Sequence, residues 1–592
     1  MTTAAAHKTS SEFRVEGAPT YDLRSPFRWI ASHILKYPIL LATFVLSTLM
    51  LVVTTSLLAR LTGSAFDAVL EPDPQRALFG VALALLGSAL LRGLFEGSNI
   101  VAIELLAQRL ERDARAELAL SLLGKSQAFH NRQRVGDVMA RAANDVRQLN
   151  LMFSPGVQLI LDSALTLVVP LVFIAFIDVR LLLFPLLFLV AFWFALRHYM
   201  ARLDPVSTGM RESFGTLNAG LNETVSGIEL VKAASAEYLE KLKFKTNARL
   251  VRDYFIRQGQ VQARYLPLLL IGLTLAATFA QGMWLLAAGQ LSVGDLVAAL
   301  ALVGVLRGPA DLSIFTFSMV QLGFAGARRI MELILADTEL DENPGGHAAP
   351  VEGAVEFRDV SFTYPGSDSA TLERFSFSIR PGETIAIVGQ TGSGKSTITR
   401  LLNRTFDADS GQVLIDGVDV RDWNMQSLRS QISVIEQEVF LFSRSIADNI
   451  AFGLPGAERG QVIAAAKAAQ AHQFISEFPD GYDTVIGERG MTLSGGQRQR
   501  LAIARALLTD PRILVLDDAT SAIDSATEDE IQRAMNTVMA GRTSLVITHR
   551  LSQIRRADRI LVIHGRRLQA VGTHEELMAH NPLYGRIFQR YE

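Results

Sequence analysis

The sequence predicts a membrane α-helical domain of six transmembrane helices followed by an α/β domain. Three observations predict it. Long apolar runs punctuate the first half of a 592-residue chain that is 49% hydrophobic, and its positive mean hydropathy is higher than a soluble protein of ordinary composition shows. A polar, breaker-rich stretch, Ala336-Asp-Thr-Glu-Leu-Asp-Glu-Asn-Pro-Gly-Gly346, then ends that pattern as a linker does. Beyond it, short β-rich runs such as Ala354 to Phe357 and Thr384 to Val388 alternate with helical stretches such as Lys395 to Leu402 and Gln497 to Leu508, which is α/β patterning. The expected organisation is a disordered tail at 1–23, a transmembrane domain with long cytoplasmic helical extensions at 24–333, a linker at 334–351 and the α/β domain at 352–592.

Met1 to Pro19 is polar and lacks an apolar core followed by a cleavage site, so it reads as a tail and not as a signal or transit peptide. Pro38 to Ala59 is an uncharged apolar run of 22 residues, long enough at about 1.5 Å per residue to cross a hydrocarbon core of roughly 30 Å. Comparable runs centre on Ala77 to Ile103, Gln158 to Ile177, Leu181 to Leu196, Tyr265 to Ala288 and Leu296 to Phe324, which makes six spans. The links after the third and fifth runs are short. Those after the second and fourth, Glu104 to Pro155 and Arg197 to Arg264, read as helices carrying eight and eleven Lys or Arg respectively. The positive-inside rule puts these extensions in the cytoplasm.

Arg92, Glu96, Glu104, Asp162, Arg307 and Asp311 fall within or at the ends of the spans. Charge facing lipid costs several kcal/mol, so they are expected to face the bundle interior. Glu96 there suits a cationic substrate, and Arg307 with Asp311 suits an i,i+4 pair, although helix-locking pairs explain such charges equally well. Phe184, Phe188, Phe192, Trp193 and Phe194 read as lipid-facing packing. A formal charge of −2 gives no general electrostatic reason to expect a nucleic-acid partner. The absence of cysteine excludes disulfides, thiolate metal sites and cysteine nucleophiles.

The chemistry lies in the second half. Thr384-Ile-Ala-Ile-Val-Gly389-Gln390-Thr391-Gly392-Ser393-Gly394-Lys395-Ser396-Thr397 fits a strand, then G-x-x-x-x-G-K-S, then a helix, the context a phosphate-binding P-loop requires. Glycines let backbone N–H groups close on phosphate oxygens, Lys395 reaches the terminal phosphates of ATP, and Ser396 offers a hydroxyl to Mg²⁺. Further on, Ile513-Leu-Val-Leu-Asp517 reads as a buried strand delivering one carboxylate to that metal's shell.

Leu493-Ser494-Gly495-Gly496-Gln497, between these two motifs, resembles the signature sequence of ABC ATPases. From about Arg24 onward the chain is similar to ABC exporter half-transporters. The resemblance implies an exporter-type domain of six transmembrane helices followed by an α/β P-loop ABC ATPase domain, in the bacterial plasma (inner) membrane. It implies a second half-transporter as partner, with each nucleotide held between one chain's P-loop and the other chain's Ser494 to Gln497. It also implies that Tyr364 stacks on adenine, that Gln437 touches Mg²⁺ and senses the membrane domain, and that His549 contacts the γ-phosphate. Thr484-Val-Ile-Gly-Glu488-Arg489-Gly490 resembles a segment of exporters that couples the two domains, with Val485 where the family often has glutamate. Phe129 to Arg141 and Asn222 to Lys232 are similar to the family's two coupling regions. The substrate class implied is an amphipathic drug, lipid or peptide.

One departure bears on mechanism. After the metal-binding aspartate the family usually has glutamate as general base or water-orienting group, whereas this chain has Asp518. Removing a methylene withdraws the carboxylate by roughly 1 Å, a misplacement that can slow a positioned reaction about a hundredfold. This chain resembles the aspartate-bearing member of heterodimeric exporters, in which one site is nearly silent. A homodimer with two slow sites and a non-transporting ATP-gated regulator remain the alternatives.

Overall fold

The computed structural model describes residues 11–15, 17, 19–264, 267–487, 493–517 and 525–589, without the side chains of 267–268, 310–317, 525–529 and 587–589. The chain divides into two compact units: Pro19–Ala119 with Gly136–Leu335, and Ala336–Glu592 with Met1–Ala18 and Leu120–Val135.

The first unit is helical. Among the described residues five helices are long and apolar enough to cross a membrane: Pro38–Ala68, Pro74–Leu123, Val135–Ile177, Val179–Ser226 and Leu269–Ala287. The sixth expected run, 296–324, is divided between helices Val293–Val305 and Arg307–Leu335. The first piece ends at Leu306, whose N–H turns back to Val303 and Gly304. Gly304, Gly308 and Pro309 crowd this break, and Pro309 has no N–H for a carbonyl one turn earlier. The expected helical extensions are present. Pro74–Leu123 has 50 residues, about 75 Å at roughly 1.5 Å per residue and more than twice a hydrocarbon core. Leu183–Ser226 continues past its apolar run and packs against Glu237–Ala263.

Two devices lock the helices at close range. Pro38–Ala68 crosses Val293–Val305 at a glycine pair, where a Cβ on Gly63 would lie 2.2 Å from the Gly294 carbonyl oxygen and one on Gly294 would lie 2.3 Å from that of Gly63. Asp67 finishes this crossing by accepting from Ser292 Oγ at 2.7 Å and from the Gly294 N–H at 2.8 Å. The second device is a buried polar knot. Asn99 Nδ2 donates to Thr48 Oγ1 at 2.6 Å and Ser47 Oγ at 3.2 Å, while its Oδ1 accepts from Gln158 Nε2 at 3.0 Å. Side-chain hydrogen bonds of this kind hold helices where apolar attraction between them is weak.

One expectation about side chains needs correction. Phe188 and Phe192 do not face outward; they stack at 5.6 Å inside an apolar cluster with Ile174, Leu285, Leu296 and Leu302. Trp193 and Phe194, on the other side of the helix, are exposed as expected. Arg92, Glu96, Glu104 and Arg307 are exposed on the single chain, and Asp162 is half-buried. Arg92 and Glu96 precede buried Asn99 in a stretch where Ser88 is the buried residue, so helices of the same chain leave it uncovered. The side chain of Asp311 lies outside the described residues.

The second unit holds two sheets. Strands β1 (Val355–Phe362), β2 (Leu372–Ile379), β4 (Ser410–Ile415) and β5 (Val418–Asp419) form an antiparallel sheet in the order β2-β1-β4-β5. Strands β3 (Thr384–Gly389), β6 (Ile432–Ile435), β7 (Ile513–Asp517), β8 (Thr543–Ile547), β9 (Arg559–His564) and β10 (Arg567–Gly572) form the other, ordered β10-β9-β3-β8-β7-β6. All its pairs except β9 with β10 are parallel. Its strands are apolar runs because helices and the first sheet cover both faces. Phe357, Phe375, Ile385, Ile387, Val515 and Leu561 share one core cluster, and Leu514, Leu516, Ile503 and Met535 share another.

The expected tail and linker are partly ordered within this unit. Glu342 N–H donates to the Ser11 carbonyl and Glu12 N–H to that of Gly124, both at 2.8 Å. Segment Leu120–Val135, expected with the membrane helices, joins this unit: Ser126 N–H donates to Thr338 Oγ1 at 2.7 Å, and Ala128 enters the core cluster of β1.

Candidate nucleotide site

The P-loop begins where β3 ends. β3 is central and buried, with parallel neighbours β8 and β9 that fix its direction and height. Gly389 closes the strand, and a Cβ there would sit 2.5 Å from the Ile563 carbonyl oxygen. Gly392 and Gly394 have φ of +80° and +97°, a region that favours residues without Cβ. Gly394 caps helix Lys395–Leu402. The first-turn N–H groups of that helix have no partners within it, which leaves a positive pole for an anion.

Side chains complete the cradle. Lys395 is buried and donates to the carbonyls of Gly389 at 2.9 Å and Gln390 at 3.1 Å. A phosphate oxygen is a stronger acceptor than either, because the resulting hydrogen bond is charge-assisted at both ends. Ser393 Oγ is buried without a hydrogen-bond partner among the described residues, as a donor reserved for a ligand would be. Ser396 is half-buried at the cradle, and Gln390 and Thr391 are exposed at its rim. Tyr364 stands beside the same helix. Its hydroxyl lies 3.1 Å from Thr397 Oγ1 and accepts from Arg400 Nη1 at 3.0 Å, and its ring packs edge-on to Phe362 and Phe406. Nothing in the spacing of Arg400 marked it beforehand.

The other expected residues arrive from strand register. Ile387 of β3 pairs with Ile547 of β8, which pairs with Asp517 of β7, and Leu516 pairs with Ile435 of β6. Asp517 therefore ends its strand level with Ile387, just before β3 gives way to the loop at Gly389, while His549 and Gln437 each follow two residues beyond β8 and β6. All four groups gather at the carboxyl edge of one parallel sheet, the edge where open α/β sheets bind ligands. The hydroxyl of Ser396, the carboxylate of Asp517 and the amide oxygen of Gln437 are hard oxygen donors that suit Mg²⁺ held jointly with phosphates. Among the described residues no cluster of three or more His, Asp or Glu forms a cage of its own. Asp518 and Glu488 to Gly490 lie outside the described residues.

Ser494 to Gln497 open a different element. Ser494 is the N-cap of helix Gly495–Thr509: its Oγ accepts from Gln497 N–H at 3.2 Å, and Gln497 Oε1 accepts from Ser494 N–H at 2.9 Å. This reciprocal box leaves an exposed positive helix end. The helix packs on β6, which is three strand spacings, roughly 14 Å, from β3. Arg505 on the same helix donates to the carbonyls of Asn449 at 2.9 Å and Phe440 at 3.4 Å, tying the helix to the segment after Gln437. Burial pushes the Arg505 pKa down from its ordinary value.

Comparison with known proteins agrees with both units. Residues 37–310 match the family described as ABC transporter transmembrane region, and residues 372–521 match that described as ABC transporter. The chain is 35% identical over 593 aligned positions to the ATP-dependent lipid A-core flippase of Aromatoleum aromaticum, covering 97% of each chain. It is 38% identical over 465 positions to an uncharacterized ABC transporter ATP-binding protein, YknU, of Bacillus subtilis, covering 78% of this chain and 79% of that one. It is 34% identical to the putative multidrug export ATP-binding/permease protein YgaD of Bacillus subtilis, covering 81% and 84%. Among solved structures it resembles a bacterial Atm1-family ABC exporter with ATP bound, at 31% identity and a TM-score of 0.77, over 94% of this chain and 99% of that one.

Proposed function

The chain belongs to the ABC transporter family as an exporter half, with a transmembrane domain fused to an ATPase domain, and we propose that it exports an amphipathic drug, lipid or peptide while its own P-loop site hydrolyses ATP slowly. ATP hydrolysis coupled to transport, and action in the bilayer with a second half, come with the family. The substrate class is supported by relatives whose names specify lipid A-core flipping and multidrug export. The slow site is supported by Asp518 standing where the family usually has glutamate. The observation that carries the nucleotide reading is the glycine-locked cradle at the carboxyl edge of β3, with Asp517, His549 and Gln437 delivered to the same edge of the sheet by the neighbouring strands.

In this reading Gly389 to Thr397 bind the triphosphate, with Lys395 on its terminal phosphates, and Tyr364 stacks on adenine. Ser396, Asp517 and Gln437 would hold Mg²⁺, which would supply positive charge against the phosphates. Asp518 orients water and takes its proton as the water oxygen bonds to the γ-phosphorus. The bond from that phosphorus to the bridging oxygen breaks, ADP leaves, and His549 steadies the γ-phosphate. The separation of Gly495–Thr509 from β3 favours a nucleotide shared between chains, with Ser494 to Gln497 serving a partner's P-loop. Closure of the two ATPase domains opens the helices outward, and phosphate release resets them. We place the N-terminus and the ATPase domain in the cytoplasm at the inner membrane, on the count of basic residues in the helical extensions.

The test is transport. Proteoliposomes containing this chain, with and without a co-expressed neighbouring half-transporter, are scored for ATP-dependent flipping of a fluorescent phospholipid and uptake of a cationic dye. Movement that requires ATP and disappears in Lys395→Ala supports the proposal. ATP-independent movement, or none with either probe or partner, sinks it.

A further inference from the structure

Arg429 ends helix Met425–Arg429, away from the P-loop. Its guanidinium donates to the carbonyls of Asn403 at 3.2 Å and Arg404 at 2.8 Å. Asn403 caps helix Lys395–Leu402, the helix whose first turn carries Lys395, Ser396 and Thr397. Arg404 just beyond it has φ of +48°, a left-handed conformation that its Cβ disfavours. Arg404 N–H returns to Leu401 and Thr405 N–H to Arg400, so the helix terminator is a tight turn. Arg429 thus places a cation against the negative pole of the P-loop helix and holds the strained residue that ends it.

A third arm reaches the start of the chain. Arg429 Nη1 donates to Glu12 Oε2 at 2.8 Å, and the Glu12 side chain is only 12% exposed. Glu12 sits in a short strap fastened on both sides, by its own N–H to the Gly124 carbonyl and by the Ser11 carbonyl to the Glu342 N–H. Arg14 adds an ion pair with Asp341 at 3.6 Å. The strap lies so close to Gly124 that a Cβ there would come within 2.2 Å of Ser11 Oγ and 2.9 Å of the Phe13 carbonyl oxygen.

We propose that Arg429 is a positioning residue for the nucleotide site and that the N-terminal strap, through Glu12, sets how firmly it holds the P-loop helix; this rests on reading Gly389 to Thr397 as the ATP site. An arginine whose third arm is paired loses less freedom in holding the two carbonyls, and a helix ordered in advance loses less on binding ATP. Release of the strap by a partner or a modification would lower ATP affinity without touching the chemistry.

The experiment measures the MgATP dissociation constant, kcat at saturating ATP and the melting temperature of the full chain in lipid nanodiscs. Glu12→Gln removes the charge at constant shape, Gly124→Val dislodges the strap from the far side, and Arg429→Met removes the clamp. The expected result is a weakening of about twofold for the first two, which loosen the clamp but keep its cation, within the about fivefold upper size of a cation's effect at a helix C-terminus. Arg429→Met should weaken binding at least as much, and kcat of the first two should be unchanged. Unchanged affinity in Glu12→Gln and Gly124→Val, whatever their melting temperatures, would overturn the proposal and leave the strap a fastening only. Lys395→Ala separates the two readings: if it binds MgATP as tightly as the unaltered chain does, the nucleotide-site reading itself fails.

Discussion

Substituting Gly394 by alanine tests whether backbone geometry builds the nucleotide cradle. Gly394 has φ of +97°, and an added Cβ would meet Leu372 Cδ2 at 2.8 Å and the Thr371 carbonyl oxygen at 3.0 Å. The left-handed conformation costs a residue with Cβ about 1–2 kcal/mol. The leucine methyl can move aside and the carbonyl cannot, which adds about 1 kcal/mol of overpacking. A loop relieved of this strain must be forced back on binding, so about 2–3 kcal/mol appears as a loss of roughly thirty- to 150-fold in MgATP affinity. Gly392 supplies a graded control, because its φ is +80° with no atom within 4 Å of a new Cβ. Only the conformational cost applies, and the loss falls to about five- to thirtyfold. Gly382 has φ of +79° and the same open surroundings in the turn before β3, so Gly382→Ala should lower stability and leave affinity alone. The assay is equilibrium binding of a fluorescent ATP analogue to the chain in nanodiscs, with melting temperatures alongside. Binding of Gly394→Ala within twofold of the unaltered chain, or an equal loss in Gly382→Ala, would refute the reasoning.

Three further outcomes follow from the packing. Gly63→Val drives a side chain into the Gly294 carbonyl at the crossing of two membrane helices, at a cost of about 1–3 kcal/mol; the melting temperature in detergent should drop, and an unchanged value would mean that the crossing is not close-packed. Glu530→Gln strips the partner from Arg500, whose side chain is 7% exposed and also donates to the Gln470 carbonyl; an unpaired buried charge costs about 3 kcal/mol, and a loss below about 0.5 kcal/mol in denaturant titration contradicts it. Burial alone would raise the Asp419 pKa, but hydrogen bonds from the Arg421 side chain and N–H and the charge of Arg404 prevail and hold it below its ordinary value. A lowered folded pKa means stability present above the unfolded value of about 3.9 and lost as pH falls through the folded one. The stability gap between the unaltered chain and Asp419→Asn should therefore narrow as pH is lowered from about 6 to about 3, and a constant gap would contradict the assignment.

The P-loop was legible because its chemistry is written in backbone terms. Glycines needed at Gly392 and Gly394 for their φ, and at Gly389 for close approach, sit at fixed intervals after an apolar run. Asp517 was legible for the same reason, since a buried strand that ends in a carboxylate has one place to deliver it. The face that a membrane helix buries was not legible. Phe188 and Phe192 are four residues apart on a helix apolar all round, and only the neighbouring helices decide that they are core while Trp193 is not. The division of the sixth run at Leu306 was signalled by Gly304, Gly308 and Pro309, yet the apolar composition on either side concealed it. Asn99 does not stand out among the other polar residues of its run, and its side-chain partners Ser47, Thr48 and Gln158 lie on other helices. Glu12 and Arg429 are 417 residues apart in sequence, with no periodicity to announce their pairing.

Steady-state ATP turnover of the purified chain in lipid, compared with Asp518→Glu and with the chain co-expressed beside a second half-transporter, tests most directly the proposed site that binds ATP well and hydrolyses it slowly because Asp518 stands in for glutamate. The expected result is slow turnover alone, a rise of up to about a hundredfold in Asp518→Glu, and fast turnover of the unaltered chain only with its partner. Robust turnover by the chain alone, unchanged in Asp518→Glu, would contradict it and make aspartate a sufficient catalytic carboxylate in a homodimer.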